Sequence, residues 1–403
     1  MSRHFITQWG MHRERAVVAV QVSVVMVVLI GFAALTIDVG ALYNARADLQ
    51  RAADAAALAG TSSYTSDDMI RVRTEVGGTE ALAAVINEAR TRVGLYSASN
   101  PTLGLSTTLV DQGDILTGWM NADSTSETIH TNPVPIDYNA VQVTVRRAAG
   151  ESLASNGPVN FYFASIWGKY FGETSASATA LFDDRFSGYS VSTGEAGMLP
   201  FTIDEDAFLS ELAAGGDSYG YDENTGLVTP GADDIREIRL YPYPLSGSGY
   251  EEGDGNFGVL NIGTGNQGVD AEVIQIQNGI TPEDFVAEIG TSDLTFFDES
   301  GNSLSYDITG SPGLEVALQT PITELIGQTV GFFLHNNVVL SGSNAIYTIT
   351  QMRFGRVMDI RLTGAPNQRG LFVQPTSYAG PGVMIHEFAP SSNGAAGRIV
   401  LVR

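Results

Sequence analysis

Few side chains in this sequence have the type and spacing that catalysis or metal binding requires. The chain contains no cysteine, which excludes disulfides, thiolate zinc sites and a cysteine nucleophile. Three of its five histidines, His130, His335 and His386, lie beyond the first fifteen residues. His335, between FFL and NNVVL, is typical of a strand-end or turn histidine. Because no HExxH, SxxK or Walker sequence occurs, we predict no catalytic residue and no enzyme.

A glycine-rich stretch, GTGNQG at 263–268, follows the apolar residues 259–262 and satisfies the spacing of a dinucleotide-binding fingerprint. Glu283 and Asp284 follow near the offset at which such folds place an acidic residue. The surrounding sequence lacks the alternation of strands and long helices on which that fold depends. We therefore prefer a glycine-rich turn between a strand and a helix, and predict no cofactor.

Acidic clusters are the remaining candidates for metal binding. Asp298, Ser300 and Asn302 resemble the oxygen-ligand loop of von Willebrand A domains, although Gly301 followed by Asn302 is also what a hairpin turn requires. Two other acidic loops contain Asp217, Asp222, Glu223 and Asn224, and Glu251, Glu252, Asp254 and Asn256. Neither matches the twelve-residue calcium loop. We prefer a hairpin and solvated loops, and predict no metal site.

Composition limits the partners of the protein. With 403 residues, the chain is long enough for two folded units with appendages. Its formal charge is −24, from 45 acidic and 21 basic residues, and Lys169 is the only lysine. Such an excess of negative charge disfavours binding to a phosphate backbone, so we predict no nucleic-acid partner.

Residues 16–37 form an apolar run long enough to cross a bilayer. At about 1.5 Å per residue the run spans roughly 33 Å as a helix, against a hydrocarbon core of about 30 Å. Three basic residues precede it closely: Arg3, Arg13 and Arg15. The next basic residue is Arg46, and this asymmetry predicts a cytoplasmic N-terminus in the inner membrane with the remaining chain periplasmic or extracellular.

A cleaved signal peptide is the competing interpretation of the same run. Val39 and Ala41 satisfy the small-residue rule for cleavage after Ala41. The run is longer than a typical signal core, and helix-favouring sequence continues through the candidate cleavage site. We therefore predict a retained single-pass anchor, and residues 1–15 would be its cytoplasmic tail.

A seven-residue rhythm continues the helix beyond the apolar run, over residues 38–60. One line contains Leu35, Leu42, Leu49 and Ala56, and the other contains Asp38, Ala45, Ala52 and Ala59. This spacing forms a narrow stripe of small and apolar side chains. We predict a helix packing interface at Leu35, Leu42, Leu49, Ala45, Ala52, Ala56 and Ala59. Both a partner helix and the chain's own ectodomain remain open as its binding surface.

The stretch GFAALTIDVGALYNARADLQRAADAAALAG, after a basic N-terminus and a Val/Leu-rich span, resembles the N-terminal segment of TadG-like proteins of the tight-adherence (Flp) pilus-assembly TadE/G-like family. The matching residues are Gly31, Asp38, Gly40, Leu42, Tyr43, Leu49, Gln50, Ala52, Ala53, Asp54 and the four at 55–58. Ala16 and Val17 stand where the family usually has a glycine. The resemblance implies a tethered protein of a pilus or adherence system, and it implies no catalytic residue.

The rest of the chain divides by composition at about residue 185. Residues 61–185 predict a small α/β unit, with a helix between Thr79 and Gly94, an alternating strand over 141–146 and an aromatic segment at 161–167. Residues 186–403 predict a β-rich domain whose strands are EIRLYPY, NFGVLNIG, LTFFD, LSYDI, TVGFFLHNNVVL, AIYTITQMRF and MDIRL. Two helices are predicted there, at 204–214 behind Thr202 and near 270–277. The predicted fold class is α+β.

These observations predict a membrane-anchored, non-enzymatic component of a Tad/Flp-type pilus assembly or adherence system. Its partners would be the membrane and other pilus-assembly or minor pilin proteins, which it would contact through the N-terminal helix. Two alternatives stay open. One is an anchored extracytoplasmic hydrolase or carbohydrate-binding protein, and the other is a metal-dependent adhesin.

Overall fold

The computed structural model describes residues 5–74, 78–107, 109, 112–123, 128–149, 157–241, 257–263, 268–341, 344–364 and 369–402. The helices are α1 (Phe5–Thr61), α2 (Asp67–Arg73), α3 (Gly78–Ser99), α4 (Glu205–Ala214), α5 (Val269–Asn278), α6 (Pro282–Ile289) and α7 (Gln319–Thr323). A long helix followed by a mostly β region confirms the predicted α+β class.

The strands are β1 (Ile115–Gly118), β2 (Ala140–Arg147), β3 (Val159–Asn160), β4 (Phe171–Gly172), β5 (Thr174–Asp183), β6 (Phe186–Ser190), β7 (Gly197–Asp204), β8 (Tyr219–Asp222), β9 (Leu227–Pro230), β10 (Ile238–Tyr241), β11 (Phe257–Leu260), β12 (Asp293–Thr295), β13 (Tyr306–Pro312), β14 (Thr329–Ser341), β15 (Asn344–Arg361), β16 (Gly370–Pro375), β17 (Val383–Ile385) and β18 (Arg398–Val402).

Helix α1 is continuous over 57 residues. No proline interrupts it, and its second half is rich in alanine, the residue with the highest helix propensity. Nearly every side chain from residue 17 to 37 is exposed, and all of these side chains except Gln21, Ser23 and Thr36 are apolar. By length and composition α1 can cross a membrane. Beyond residue 37 buried side chains recur at helical spacing along one face.

The chain forms two compact units that are built from interleaved segments. The first contains residues 1–57, 92–116 and 142–178, and the second contains residues 58–91, 117–141 and 179–403. A single cut point along the sequence does not describe these units. The predicted division between residues 61–185 and residues 186–403 therefore stays a prediction.

The second unit contains a sheet with the strand order β10-β16-β15-β13-β11-β7-β14. Because β14 pairs with β7 and also with β15, the strands β15, β13, β11, β7 and β14 close into a ring of hydrogen-bonded neighbours. Closure removes the unpaired edges that such strands would otherwise expose. The Tyr347 ring occupies the space where a Cβ at Gly258 would lie, so this position requires glycine.

Both faces of β14 are buried, which explains its continuous apolar run. Phe332 and Leu334 belong to a core cluster that α4, α5 and α7 cover, whereas Phe333 belongs to a second cluster with Phe285 of α6. Successive side chains of a strand point to opposite faces, so a strand that is covered on both sides needs apolar residues at consecutive positions.

One predicted strand boundary is wrong. AIYTITQMRF and MDIRL are not separate strands, because β15 continues through Gly355. A Cβ at Gly355 would lie 3.2 Å from the Gln374 carbonyl oxygen and 3.2 Å from Phe332 Cε1. This glycine therefore permits close packing inside a strand and does not form a turn.

The helices also differ from prediction in three places. Helix α3 does not end at Gly94 but continues to Ser99, and a Cβ at Gly94 would meet nothing within 4 Å. The N-cap of α4 is Asp204, whose side chain accepts the Ala207 N–H, and it is not Thr202. Helix α6 was not predicted, although Thr281 and Asp284 form the reciprocal capping box that marks a helix start.

Candidate functional site

Asp38 lies immediately after the apolar run of α1 and is 2% exposed. Its carboxylate accepts the backbone N–H groups of Tyr162 at 2.7 Å, Phe163 at 3.0 Å and Ala164 at 2.6 Å. These amides begin the short 3₁₀ helix Ala164–Trp167, where backbone donors have no partner within the helix. Asp38 therefore caps this helix from another part of the chain, and its burial is compensated by charge-assisted hydrogen bonds.

The capped segment is a hairpin, and we call residues 159–172 the aromatic hairpin. Strands β3 and β4 pair Val159 with Gly172, and the Phe161 N–H donates to the Tyr170 carbonyl at 2.9 Å. A Cβ at Gly172 would lie 2.9 Å from Leu42 Cδ2 and 2.6 Å from Phe161 Cζ. The backbone of the aromatic hairpin thus approaches α1 one turn beyond Asp38.

Two further side chains of α1 bind the backbone within the first unit. Asp48 Oδ2 accepts the N–H of Leu103 at 3.0 Å, and Gln50 Nε2 donates to the Ser177 carbonyl at 3.2 Å. Together with Asp38 they place hydrogen bonds along about three turns of α1. The polar residues of this helix therefore fix its position in the unit and are not simply a solvated face.

The predicted packing stripe is largely covered in the folded chain. Ala45, Leu49, Ala52 and Ala56 are completely buried, while Leu42 and Ala59 are partly buried. Leu35, within the apolar run, is 53% exposed. In the folded chain these four buried side chains are not accessible to a partner helix. Whether the stripe also contacts a partner helix stays a prediction, and Leu35 is its most accessible member.

The histidines do not form an acid-base site among the described residues. His335 lies inside β14, not at a strand end, and is 1% exposed. Its Nδ1 lies 2.8 Å from Thr202 Oγ1, and its ring packs edge-on against Tyr347 at 4.9 Å. The ladder shifts register on both sides of His335, a bulge that the sequence pattern did not reveal.

The Asp298 loop is a hairpin turn. Its carboxylate accepts the N–H groups of Ser300 at 2.8 Å and Asn302 at 2.9 Å, and the Asn302 side-chain amide at 2.8 Å. The Asn302 side-chain bond is the main cause that lowers the pKa of Asp298. Gly301, at φ +80°, supplies the left-handed position of the turn. The carboxylate is thus occupied by its own loop.

The other acidic candidates also bind backbone groups where they are described. Asp217 accepts the N–H groups of Asp233 at 3.0 Å and Asp234 at 2.9 Å, and Asp222 accepts that of Asn224 at 2.9 Å. The second loop, at 251–256, lies outside the described residues. Over the part of the chain that the structure covers, no group of three His, Asp or Glu side chains could hold a metal ion.

The glycine-rich stretch is described only at its ends. Gly263 and Gly268 are described, and residues 264–267 lie outside the described residues. Gly268 is the N-cap of α5. Asp284 accepts the N–H and the hydroxyl of Thr281 in the capping box of α6. The acidic residue of the fingerprint is therefore engaged in its own helix start.

A cavity of about 230 Å³ lies in the second unit, with a mainly apolar wall that includes Arg73 and Arg353. The Arg73 guanidinium donates to Ser377 Oγ at 3.0 Å and to the Gly394 carbonyl at 3.2 Å. Burial lowers the pKa of Arg73 to about 10, although Asp184 opposes this shift. Arg73 stabilises the turn at Gly394, which has φ +75°.

Sequence reasoning singled out Asp38 and the aromatic segment separately but did not connect them. The signal for Asp38 was a single carboxylate directly after an apolar run, and no spacing rule relates it to a segment 126 residues away. The described geometry makes the junction between α1 and the aromatic hairpin the candidate functional site.

Comparison with known proteins supports the same part of the chain. Residues 17–63 match the family model Tad, described as "Putative Flp pilus-assembly TadE/G-like". The match confirms the predicted resemblance and includes Asp38 and the buried stripe. No curated protein and no solved structure matches the chain. A Tad segment on an apolar helix of this length fits a membrane-anchored, pilus-related protein.

Proposed function

We propose that this protein is a single-pass, non-enzymatic component of a Tad/Flp-type pilus assembly or adherence system. The observation that carries the proposal is the junction at Asp38. One uninterrupted helix contains an apolar segment of membrane-spanning length, and it is bonded to the folded chain from the first residue after that segment.

The inner membrane is the proposed location, with the N-terminus in the cytoplasm. Arg13 and Arg15 directly precede the apolar segment, and positively charged flanks favour the cytoplasmic side. The β-rich residues 186–403 would then face the periplasm or the cell exterior, where they are available to partners.

Partner contact through α1 would use an exposed face that adjoins the buried stripe. Leu35, Val39 and Tyr43 follow one another at four-residue spacing and are all exposed. Leu35 also belongs to the predicted packing interface. We propose that this face, together with any part of the stripe that opens in the assembly, contacts other pilus-assembly or minor pilin proteins.

Orientation can be tested cleanly because the chain has no cysteine. Single cysteines would replace Ser2 in the tail and Ser391 in the β-rich region. An impermeant maleimide would then be applied to cells whose outer membrane has been permeabilised and whose inner membrane is intact. We expect labelling of Ser391→Cys and protection of Ser2→Cys until the inner membrane is lysed. Labelling of Ser2→Cys while the inner membrane is intact would overturn the proposed orientation.

The pilus role is tested in cells that lack the protein. Deletion should abolish Flp-type pili, and the wild-type chain should restore them. A photo-crosslinking amino acid at Tyr43 should capture another pilus-assembly protein, whereas the same group at Tyr96, which is exposed on α3, serves as the control. Normal piliation after deletion, with equal capture at both positions, would contradict the proposal.

A further inference from the structure

The aromatic hairpin carries an exposed apolar surface that its own fold does not cover. Its exposed large side chains are Tyr162, Phe163, Ile166, Trp167, Tyr170 and Phe171. Ile166 is 76% exposed and Trp167 is 64% exposed. Contiguous exposed apolar patches on a folded protein mark an interaction surface. Because Asp38 and the β3–β4 pairing hold the backbone, this surface is preformed.

The position of the hairpin along α1 indicates what covers this surface. Contacts from the hairpin reach α1 at Asp38 and at Leu42. Four residues of helix rise by about 6 Å, and the headgroup region on each side of a bilayer is about 5–7 Å thick. Since the apolar segment ends at Ile37, the hairpin lies beside the part of α1 that passes through the headgroups.

Tryptophan placement agrees with this assignment. Tryptophan and tyrosine are enriched at the interfaces between membranes and water. The exposed side chains of the aromatic hairpin include Trp167, Tyr162 and Tyr170.

The charge of the aromatic hairpin favours a lipid surface over a protein surface as its binding partner. No aspartate or glutamate occurs between Glu151 and Glu173, in a chain whose formal charge is −24. The only lysine, Lys169, lies within this acid-free segment and is exposed. An acidic protein would be repelled by anionic lipid everywhere except where carboxylates are missing and a cation can reach the phosphates.

We propose that residues 161–171 of the aromatic hairpin insert into the non-cytoplasmic headgroup layer of the same bilayer that α1 crosses, with Lys169 at the lipid phosphates. This inference rests on the proposed membrane anchor. Asp38 then joins two membrane contacts, the spanning helix and the interfacial hairpin, so that α1 resists sliding and tilting. The hairpin sets the depth of the helix in the bilayer.

Tryptophan fluorescence tests the proposal, because the chain has three tryptophans. The full chain is reconstituted into nanodiscs of phosphatidylcholine and phosphatidylglycerol, with and without lipids brominated near the headgroup. The variant W9F/W119F leaves Trp167 as the only reporter, and W9F/W167F leaves Trp119. We expect brominated lipid to quench Trp167 and not Trp119. Lys169→Glu should weaken the quenching in anionic nanodiscs, and Lys169→Arg should preserve it.

A separate reporter distinguishes failure of the anchor from failure of the hairpin contact. Val27→Trp in the background W9F/W119F/W167F places the probe at an exposed position of the apolar segment. If this probe is quenched by chain-brominated lipid while Trp167 remains accessible to aqueous iodide, the anchor stands and the hairpin proposal is overturned in favour of a protein partner. If neither probe is quenched by lipid, the anchor itself fails and the hairpin proposal falls with it.

Discussion

The Asp38 carboxylate accepts the backbone N–H of Ala164 at 2.6 Å across 126 positions of the sequence. Asp38 follows the apolar segment of α1 directly, and Ala164 begins the 3₁₀ helix of the aromatic hairpin. A buried carboxylate is costly unless hydrogen bonds replace its hydration. The three amides that it binds supply that replacement, and the same bonds fix the hairpin against the helix.

Replacement of Asp38 should release the hairpin. Asp38→Ala leaves three backbone donors without their acceptor, so we expect a loss of about 2–4 kcal/mol of stability and faster amide exchange across residues 161–172. Asp38→Asn keeps one acceptor oxygen, so its stability and its amide exchange should lie between those of the wild type and those of Asp38→Ala. Hydrogen-exchange mass spectrometry of the full chain in micelles measures the effect. Asp54→Ala on the same helix is the control, and equal exchange in both variants would contradict the capping role.

The buried stripe of α1 should reject larger side chains. Ala45 is completely buried, so Ala45→Leu should cost about 1–3 kcal/mol through overpacking. Ala47 is exposed two positions further along, and Ala47→Leu should change stability by less than about 0.5 kcal/mol. Urea titration of both variants in the same detergent gives the comparison. A neutral Ala45→Leu would mean that the stripe is loosely packed in the free chain.

Arg356 and Asp67 form a buried ion pair in the second unit. Nη1 and Nη2 of Arg356 lie 2.9 Å and 3.2 Å from the two carboxylate oxygens, and the guanidinium stacks on Tyr221 at 3.4 Å. Arg356→Ala leaves a buried charge without its partner, so we expect a loss of about 3–5 kcal/mol in chemical denaturation.

The control for this pair is a second pair on the same strand, in which the arginine is exposed. Arg361 lies 3.0 Å from Asp359 and its side chain is 59% exposed, so Arg361→Ala should cost no more than about 1 kcal/mol. The double variant D67N/R356M should recover part of the loss, because no charge is then left unpaired. Equal costs for the two single variants would show that burial does not determine the strength of this pair.

Glu237 should make stability depend on pH. Burial raises the pKa of Glu237 from 4.5 to about 7, against the lowering effect of the Ser218 and Tyr219 N–H groups. Between these values the folded chain holds a proton that the unfolded chain has released. The stabilisation from that proton is complete below about pH 4.5 and is lost as the pH rises through about 7.

Comparison with Glu237→Gln isolates this residue from other titrating groups. Relative to the wild type, the variant should gain on the order of 1–3 kcal/mol between pH 5 and pH 8, because it has no proton to lose. Urea unfolding at each pH measures the difference. A difference that does not change with pH would place the pKa of Glu237 near its ordinary value.

Local sequence patterns were sufficient to predict the elements whose apolar side chains are continuous or recur at a regular spacing. The length of the apolar run predicted a helix that can span a membrane, and the spacing from Leu35 to Ala59 predicted that α1 continues through Asp38. Runs of apolar and β-branched residues predicted β14 and most of β15. The patterns did not show that β15 continues through Gly355, because a pattern does not distinguish a glycine that permits close packing from one that bends the chain.

The sequence by itself determined that the N-terminal helix is apolar, long and continuous, and that most of the chain beyond residue 186 is built from strands. These properties follow from neighbouring residues, whose periodicity and propensity act over a few positions. Only the tertiary structure decided which face of α1 is covered, where β14 closes the ring and what Asp38 binds. Each of these depends on contacts between distant segments, for which a hydrogen-bond donor such as the Ala164 N–H leaves no trace in the pattern of side chains.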